Sequence, residues 1–359
     1  MLRWKLVLVA AAVWGVWTAG AQTPSATVAT VGIEKLLDAK PARARPADFD
    51  AFWDSRAAML RSAEMKVSVA SGEGGVDGVR YEKVDLSVDM GGSALNVRAQ
   101  LAVPAGTVGE GGGKYPGVLV VQYAGVYPLQ KTWVTSRAQA GWLAMNVMAH
   151  DLPIDEPAEF YSELSAKDAA LGGLKGYTAI GWTGRETSYM TGILSRCIVA
   201  ARYFKTRPEW DGRVLVVTGG SQGGWQAICL AGLEPAISGV LANVPAGCDF
   251  SGAEVGRPVS WPYWFRQVGE AERVAVLETA GYVDAVNFAA RVRCPVLVGV
   301  GLVDRTCPPE GVAVMFNGLG SAEKQLVLMP LADHKGLNDS FAPYRQAEKQ
   351  WLDRFKSSR

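Results

Sequence analysis

Along most of the chain, short runs of branched apolar residues alternate with stretches whose apolar positions recur every three or four residues. The runs "YPGVLVVQYA", "WLAMNVMA", "RVLVVTG", "ISGVLANVP", "CPVLVGVGL" and "KQLVLMP" are almost unbroken by polar residues, as strands are when both faces of a sheet are covered. Residues 80–89 and 94–103 instead alternate apolar and polar on either side of Gly91-Gly92, which predicts an antiparallel pair joined by a turn. Helical spacing occupies 186–205, 222–232 and 309–317, and a final helix is predicted over 342–356. Eight strands and helices in this order predict an α/β fold: a mostly parallel eight-stranded sheet with helices on both faces, led by an antiparallel edge. Residues 246–292 are the one long excursion without a strand, an insertion ahead of "CPVLVGVGL".

Before the sheet, "PADFDAFWDSRAAMLRSAE" sets Phe49, Phe52, Trp53 and Leu60 on one helical face, with Asp48 placed to cap its start. The glycine-rich "SGEGGVDG" then ends that element. Residues 22–78 therefore form an amino-terminal extension with a helix, and 79–359 the main domain. The biased loop "GTVGEGGGKYPG" predicts a surface hairpin or linker.

The first 21 residues change the picture of where the protein works. Arg3 and Lys5 precede an apolar run from Leu6 to about Val16, and Ala19-Gly20-Ala21 follows. This is the three-part form of a secretory signal peptide, cleaved near Ala21, and it predicts a secreted or periplasmic protein. The competing reading, an uncleaved membrane anchor, asks for an apolar run of roughly 20 residues, longer than this one.

With 36 basic and 35 acidic residues, the chain offers no electrostatic case for nucleic acid or for an anionic membrane surface. Five cysteines, Cys197, Cys229, Cys248, Cys294 and Cys307, are scattered along it. One disulfide, Cys294 with Cys307, is compatible with export though no spacing demands it. Cys197 and Cys229 fall in helical apolar patterns and read as buried free thiols. No Cys/His cluster has zinc-ligand spacing, so no metal and no organic cofactor is expected.

The candidate chemistry begins at Gly219-Gly220-Ser221-Gln222-Gly223, a G-x-S-x-G motif between a predicted strand and a predicted helix. A serine held on a strained turn projects its oxygen above the sheet, and glycines beside it let neighbouring backbone approach. An ordinary glycine-rich turn would look the same, so the partners decide. A serine hydroxyl needs a general base oriented by a carboxylate. The chain has two histidines, His150 and His334, and with this motif the base follows the serine in sequence. His334 is the one that does, in the loop after the last strand. His150 borders the site or serves a structural hydrogen bond. The acid is expected after the penultimate strand, where Asp304 stands; Asp333 is the rival, but sequence neighbours seldom present side chains face to face.

An oxyanion hole would draw on the backbone N–H of Gln222, at a helix start, and on that of Val126, in the loop that ends "VLVVQYAGVY". Ser321-Ala322-Glu323-Lys324 has S-x-x-K spacing without its companion motifs, and "GVGLVD" lacks the third glycine of a dinucleotide fingerprint. Inside the insertion, Trp261, Tyr263, Trp264 and Phe265 form an aromatic group that either roofs the site, where rings stack on sugars, or packs in the core or a subunit contact. Trp225, one turn beyond Ser221, reads as packed against the sheet.

With these residues in place the sequence resembles the acetyl xylan esterase and cephalosporin C deacetylase family of α/β-hydrolases. "PADFDAFW", "YPGVLVVQYAG", "RPEWDGRVLVVTGGSQGG", "ANVPAGCDF" and "GLVDRTCPP" look like its successive blocks. The resemblance implies an α/β-hydrolase fold and deacetylation of small acetylated carbohydrates by Ser221, His334 and Asp304, with Val126 and Gln222 as oxyanion donors. It also implies self-association as a homo-oligomer, since that family commonly forms ring-like hexamers. Two local features mark a divergent branch: Val126 followed by Tyr127 where the family has tyrosine after the oxyanion-loop glycine, and "MAHDLP" where it has arginine-glycine-glutamine. Tyr127 accordingly joins Trp261, Tyr263 and Trp264 among the candidate pocket residues.

The expectation is a secreted serine esterase acting on acetylated xylan fragments through an acyl-enzyme. Esterases for bulkier acyl or uronoyl groups share this constellation. A non-catalytic carbohydrate-binding protein on the same fold would share all but a complete triad.

Overall fold

The computed structural model describes residues 38–72, 76–104 and 114–357. The predicted signal peptide, residues 1–21, lies outside the described residues. In chain order the elements are α1 (Phe49–Ser62), β1 (Met65–Ser71), β2 (Val79–Asp89), β3 (Ala94–Pro104), β4 (Tyr115–Val121) and α2 (Thr132–Gln139). Then come β5 (Leu143–Val147), α3 (Ala158–Ala166), α4 (Tyr189–Phe204), β6 (Trp210–Gly220), α5 (Gln222–Leu233) and β7 (Gly239–Asn243). The insertion carries α6 (Trp264–Gln267), α7 (Arg273–Val283) and α8 (Ala285–Ala289). After it follow β8 (Val296–Gly301), α9 (Pro309–Gly318), β9 (Lys324–Met329) and α10 (Ala342–Ser357).

The strands form one sheet in the order β1-β2-β3-β5-β4-β6-β7-β8-β9. Pairs from β1 to β3 and β3 with β5 are antiparallel, and every pair from β5 to β9 is parallel. Among the described residues the sheet thus has nine strands, one more than the eight expected. The added strand is β1, which pairs with β2 from Met65↔Val88 to Ser71↔Glu82. Its sequence "MKVSVAS" is exposed on both faces beyond Met65, which packs against the core, so it buries no apolar row to mark it and is held mainly by backbone pairing.

The unbroken apolar runs have a direct cause. Successive side chains of a strand point to opposite faces, and here both faces are cores. Leu119, Leu215, Val217, Val296 and Val298 pack with α1, α4, α5 and the insertion helices. Val118, Val214, Val216 and Leu297 pack on the other face with Val134 and Ala138 of α2 and with Tyr344, Trp351 and Phe355 of α10.

The extension helix α1 is built into the first of these cores. Phe49 and Trp53 are fully buried, Trp53 lies edge-on to Phe288 of α8 at 5.3 Å, and its indole N–H donates to Tyr282 O at 2.8 Å. Asp48 occupies the N-cap position but makes no side-chain cap. Its carboxylate turns instead to Arg185 and to the hydroxyl of Tyr282, joining α1 to the insertion and to the 177–187 loop. Among the described residues no helix is long and apolar enough to cross a membrane.

All five cysteines are free, so the Cys294–Cys307 disulfide does not form. Strand β8 runs between them, and six extended residues span roughly 20 Å, whereas a disulfide needs Cα atoms within about 7 Å.

Candidate active site

Strand order reverses around β4: the chain leaves it for β5 on one side and returns to β6 on the other. Loops that leave the carboxyl ends of strands at such a point diverge and open a crevice. The loop after β4 and the turn after β6 meet there, and those after β8 and β9 reach the same edge.

Ser221 is the turn residue between β6 and α5, at φ 52° and ψ −122°. A non-glycine residue at positive φ costs of order 1–3 kcal/mol and persists only where its surroundings hold it. Here they do. Ser221 N donates to Asn243 O at 2.9 Å, and its carbonyl accepts from Trp225 N and Ala246 N, each at 3.0 Å. The flanking glycines are needed for clearance. A Cβ on Gly219 would lie 2.6 Å from Gly223 C, and one on Gly223 2.5 Å from Val121 O. A Cβ on Gly220 would meet the Tyr123 ring at 2.5 Å.

His334 Nε2 lies 2.9 Å from Ser221 Oγ, and its Nδ1 lies 2.8 Å from Asp304 Oδ2. The carboxylate has a single role available to it: Oδ1 already accepts from Thr306 N at 2.7 Å and Cys307 N at 2.9 Å. Carboxylate acceptance fixes the proton on Nδ1 and leaves Nε2 free to accept from the serine. The acid and histidine loops are tied to each other by Leu302 N to Met329 O, 3.1 Å, and Val303 N to Ala332 O, 3.3 Å. Asp333, the rival acid, turns back on its own loop and accepts from Lys335 N at 3.0 Å.

The structure brings the loop of Tyr123 to Tyr127 against the start of α5. Gln222 opens that helix, so its N–H has no acceptor within its own helix. Its buried side chain grips the loop: Oε1 accepts from the Tyr177 hydroxyl, and Nε2 lies 3.4 Å from Tyr123 O. Val126 is half-buried in the loop. Tyr127 donates to Tyr123 O at 3.1 Å and packs edge-on to Trp133.

The aromatic group of the insertion divides. Trp264 is fully buried against Phe250 and Trp182, which corrects its assignment to the pocket: its indole fills the core under the insertion. Trp261 is partly buried, and its backbone N–H donates to Thr306 O at 2.8 Å on the acid loop. Tyr263 is half-exposed, with the Arg266 guanidinium over its ring. Trp225 is fully buried in the same core as α7, and its indole N–H donates to Val283 O, 2.6 Å away.

Three residues that no motif marked also belong to the site. Tyr123, 48% exposed, stands at the end of β4 with its ring over Gly220; its place at a strand's carboxyl end was the available signal. Tyr177 is buried between the Tyr123–Tyr127 loop and the start of α5, and comes from a loop 45 residues before Gln222. Cys307 is buried on the acid loop, its backbone N–H donating to Asp304 Oδ1 at 2.9 Å, and Ser221 lies among the groups that act on its thiol. Burial and the Asp304 charge push that thiol well up, while the serine contact opposes them. Ligating atoms of Asp304, Cys307 and His334 lie within 4.8 Å of one another, a grouping invisible in linear spacing, and both nitrogens of His334 are already engaged by the triad bonds.

His150 is fully buried, with Nδ1 2.8 Å from the Tyr189 hydroxyl and Nε2 2.9 Å from Gly125 O. Burial lowers its pKa to about 4, with the nearby Arg196 charge adding to the effect and the Gly125 bond opposing it.

The family model described as Acetyl xylan esterase (AXE1) matches residues 27–354. The acetyl esterase Axe7A of Xylanibacter ruminicola is 30% identical over 301 residues, which cover 82% of this chain and 65% of that protein. The chain therefore spans about two thirds of that relative's length. Among solved structures, an acetyl xylan esterase from Paenibacillus sp. R4 superposes with a TM-score of 0.71 at 23% identity, covering 89% of this chain and 98% of that one. Acetyl xylan esterase 1 from Thermoanaerobacterium sp. JW/SL YS485 does so with 0.68 at 20% identity, covering 88% and 96%. At such identities the structural likeness is one of fold: an α/β-hydrolase.

Proposed function

The chain belongs to the acetyl xylan esterase family, and from that premise we propose that it is an exported serine esterase that deacetylates carbohydrates such as xylo-oligosaccharides. The observation that carries this reading is the continuous relay Ser221 Oγ, His334 Nε2, His334 Nδ1, Asp304 Oδ2, with bonds of 2.9 and 2.8 Å.

In the proposed reaction His334 Nε2 takes the Ser221 proton as Oγ attacks the ester carbonyl. Negative charge grows on the carbonyl oxygen, and the N–H groups of Val126 and Gln222 receive it. The imidazolium, held by Asp304, then protonates the departing sugar oxygen. Ser221 is left acetylated; His334 takes a proton from a water that attacks the acyl carbon, the bond from Oγ to the acyl carbon breaks as His334 returns the proton to Oγ, and acetate leaves. A small acyl group suits a nucleophile that is only 8% exposed, with the Tyr123 ring standing over the neighbouring Gly220.

The test is acetate release from acetylated xylo-oligosaccharides, run beside simple esters of increasing acyl length. Ser221→Ala should remove turnover while the protein stays folded, and a variant that still releases acetate would sink the assignment. Rates that climb from acetate to bulkier acyl groups would overturn the acetyl preference alone. Export is tested separately, by the mass of the protein recovered outside the cytoplasm, which should lack residues 1–21.

A further inference from the structure

His150 takes no part in the triad, yet it is fully buried at the edge where the site forms, and its two ring nitrogens have different partners. Gly125 O can only accept, so Nε2 carries the ring proton and donates to it at 2.9 Å. Nδ1 therefore has a lone pair and accepts from the Tyr189 hydroxyl at 2.8 Å. Burial raises the Tyr189 pKa to about 12, so that hydroxyl keeps its proton. The tautomer is set by its partners rather than chosen.

Gly125 O belongs to the peptide unit that also holds Val126 N–H. In a planar trans peptide the carbonyl and the N–H point in opposite directions. A group that fixes one therefore aims the other. Gly125 has φ 118°, a conformation in which glycine turns freely, so the direction of this peptide has to come from outside the loop. The neighbouring peptide is held as well: Gly125 N donates to the Tyr177 hydroxyl at 3.3 Å, and that hydroxyl donates to Gln222 Oε1. From the same strand end, Ala149 N donates to Gln122 Oε1 at 2.8 Å, and Gln122 Nε2 donates to Tyr127 O at 3.2 Å. His150 stands edge-on to Tyr177, with ring centroids 4.8 Å apart, so the two anchors brace each other.

We infer that His150 is a positioning residue: its Nε2–H pins Gly125 O and thereby aims Val126 N–H at the developing oxyanion, with Tyr189 holding the imidazole in register. A donor to the carbonyl also polarises the shared peptide and strengthens its N–H as a donor. The inference rests on the serine esterase reading above and goes beyond it by giving a buried, non-triad histidine control of transition-state stabilisation.

The experiment compares kcat and KM for a chromogenic acetate ester in the wild type, His150→Ala, His150→Gln, Tyr189→Phe and Ser221→Ala, with near-UV circular dichroism to establish folding. Deleting one oxyanion donor costs about 100- to 1,000-fold in kcat, so a donor that is present but misaimed should cost about 10- to 100-fold. His150→Ala should show that loss in kcat with KM changed by less than about threefold, because ground-state binding does not use the oxyanion. His150→Gln, which keeps an N–H donor, should recover part of it, and Tyr189→Phe should lower kcat about three- to tenfold. A folded His150→Ala with kcat within twofold of wild type, or with its loss confined to KM, overturns the inference. If His150→Ala does not fold, Tyr189→Phe decides, and a wild-type kcat there overturns it. Turnover that survives Ser221→Ala instead brings down the esterase reading, and this inference with it.

Discussion

Gly223→Ala tests how the nucleophile is held. The added Cβ would sit 2.5 Å from Val121 O, with Gln122 O and Val121 C both at 3.4 Å. Carbon and carbonyl oxygen approach to about 3.3 Å at closest, so something must move by about 0.8 Å. Every atom in the way is backbone, which no rotamer change can relieve. Either the elbow retreats from β4 or the end of β4 yields, and that end leads into the loop of Gly125 and Val126. If the elbow moves, the 2.9 Å contact between Ser221 Oγ and His334 Nε2 opens beyond hydrogen-bonding range; if β4 moves, the oxyanion donors shift. A misplacement approaching 1 Å costs about 100-fold in rate, and overpacking costs about 1–3 kcal/mol of stability. The assay is kcat with a chromogenic acetate ester beside a thermal melt. Gly192→Ala is the control: it lies in α4, and its Cβ would meet only Arg196 Nη1 at 3.4 Å. That change should leave kcat alone and add up to about 1 kcal/mol, since glycine is costly inside a helix. A Gly223→Ala protein with wild-type kcat and melting temperature would refute the claim that the elbow has no room for a side chain.

Asp304→Asn should lower kcat about 10,000-fold by favouring the wrong tautomer of His334, whereas Asp333→Asn should stay within about twofold; the reverse pattern in steady-state kinetics would exchange their roles. His150, held neutral by burial with a pKa of about 4, binds fewer protons folded than unfolded between that value and about 6.5. Its contribution to stability is therefore present above that window and lost as pH falls through it, by about 2–3 kcal/mol between pH 7.5 and 4.5. Asp284 acts with the opposite sign: burial first, then the Asp249 charge, raises it to about 7, so its contribution is lost as pH rises. Urea denaturation of wild type against His150→Gln at the two pH values cancels Asp284 and isolates the histidine, and a difference that does not change with pH would refute the assignment. Thiol titration should find five free groups after denaturation in the absence of reductant, with Cys294, the one cysteine not buried, reacting first in the native protein; four or fewer would mean that a bridge forms.

How much of the fold could be read from the chain follows from what each element buries. Leu119 and Val118 serve opposite cores, and that double burial writes an unbroken apolar run into the sequence. Strand β1 buries neither face, with Val67 and Val69 both more than two-fifths exposed, so its pairing with β2 leaves no mark on composition. The same limit governs Asp48, whose position before α1 suits a cap, while its partners Arg185 and Tyr282 lie more than a hundred residues away.

The Ser221, His334 and Asp304 arrangement was legible because the chemistry proposed for it demands particular side chains and the chain has few to offer: one histidine follows the motif, and one acid stands after the right strand. The proposed oxyanion side obeys a different rule. The donors proposed for it are backbone N–H groups, so Val126 and Gln222 could be located only by their places on the fold, and nothing in "QYAGVY" states which way the Gly125 peptide faces. That direction is fixed by His150 from the next strand, Tyr177 from a later loop and Tyr189 from α4, residues that no motif groups together. The one legible trace is "MAHDLP" itself, where His150 occupies the segment in which the chain departs from its family's pattern. If that histidine aims the oxyanion donor, the departure is a change in how the peptide is held, and the triad it serves can remain intact.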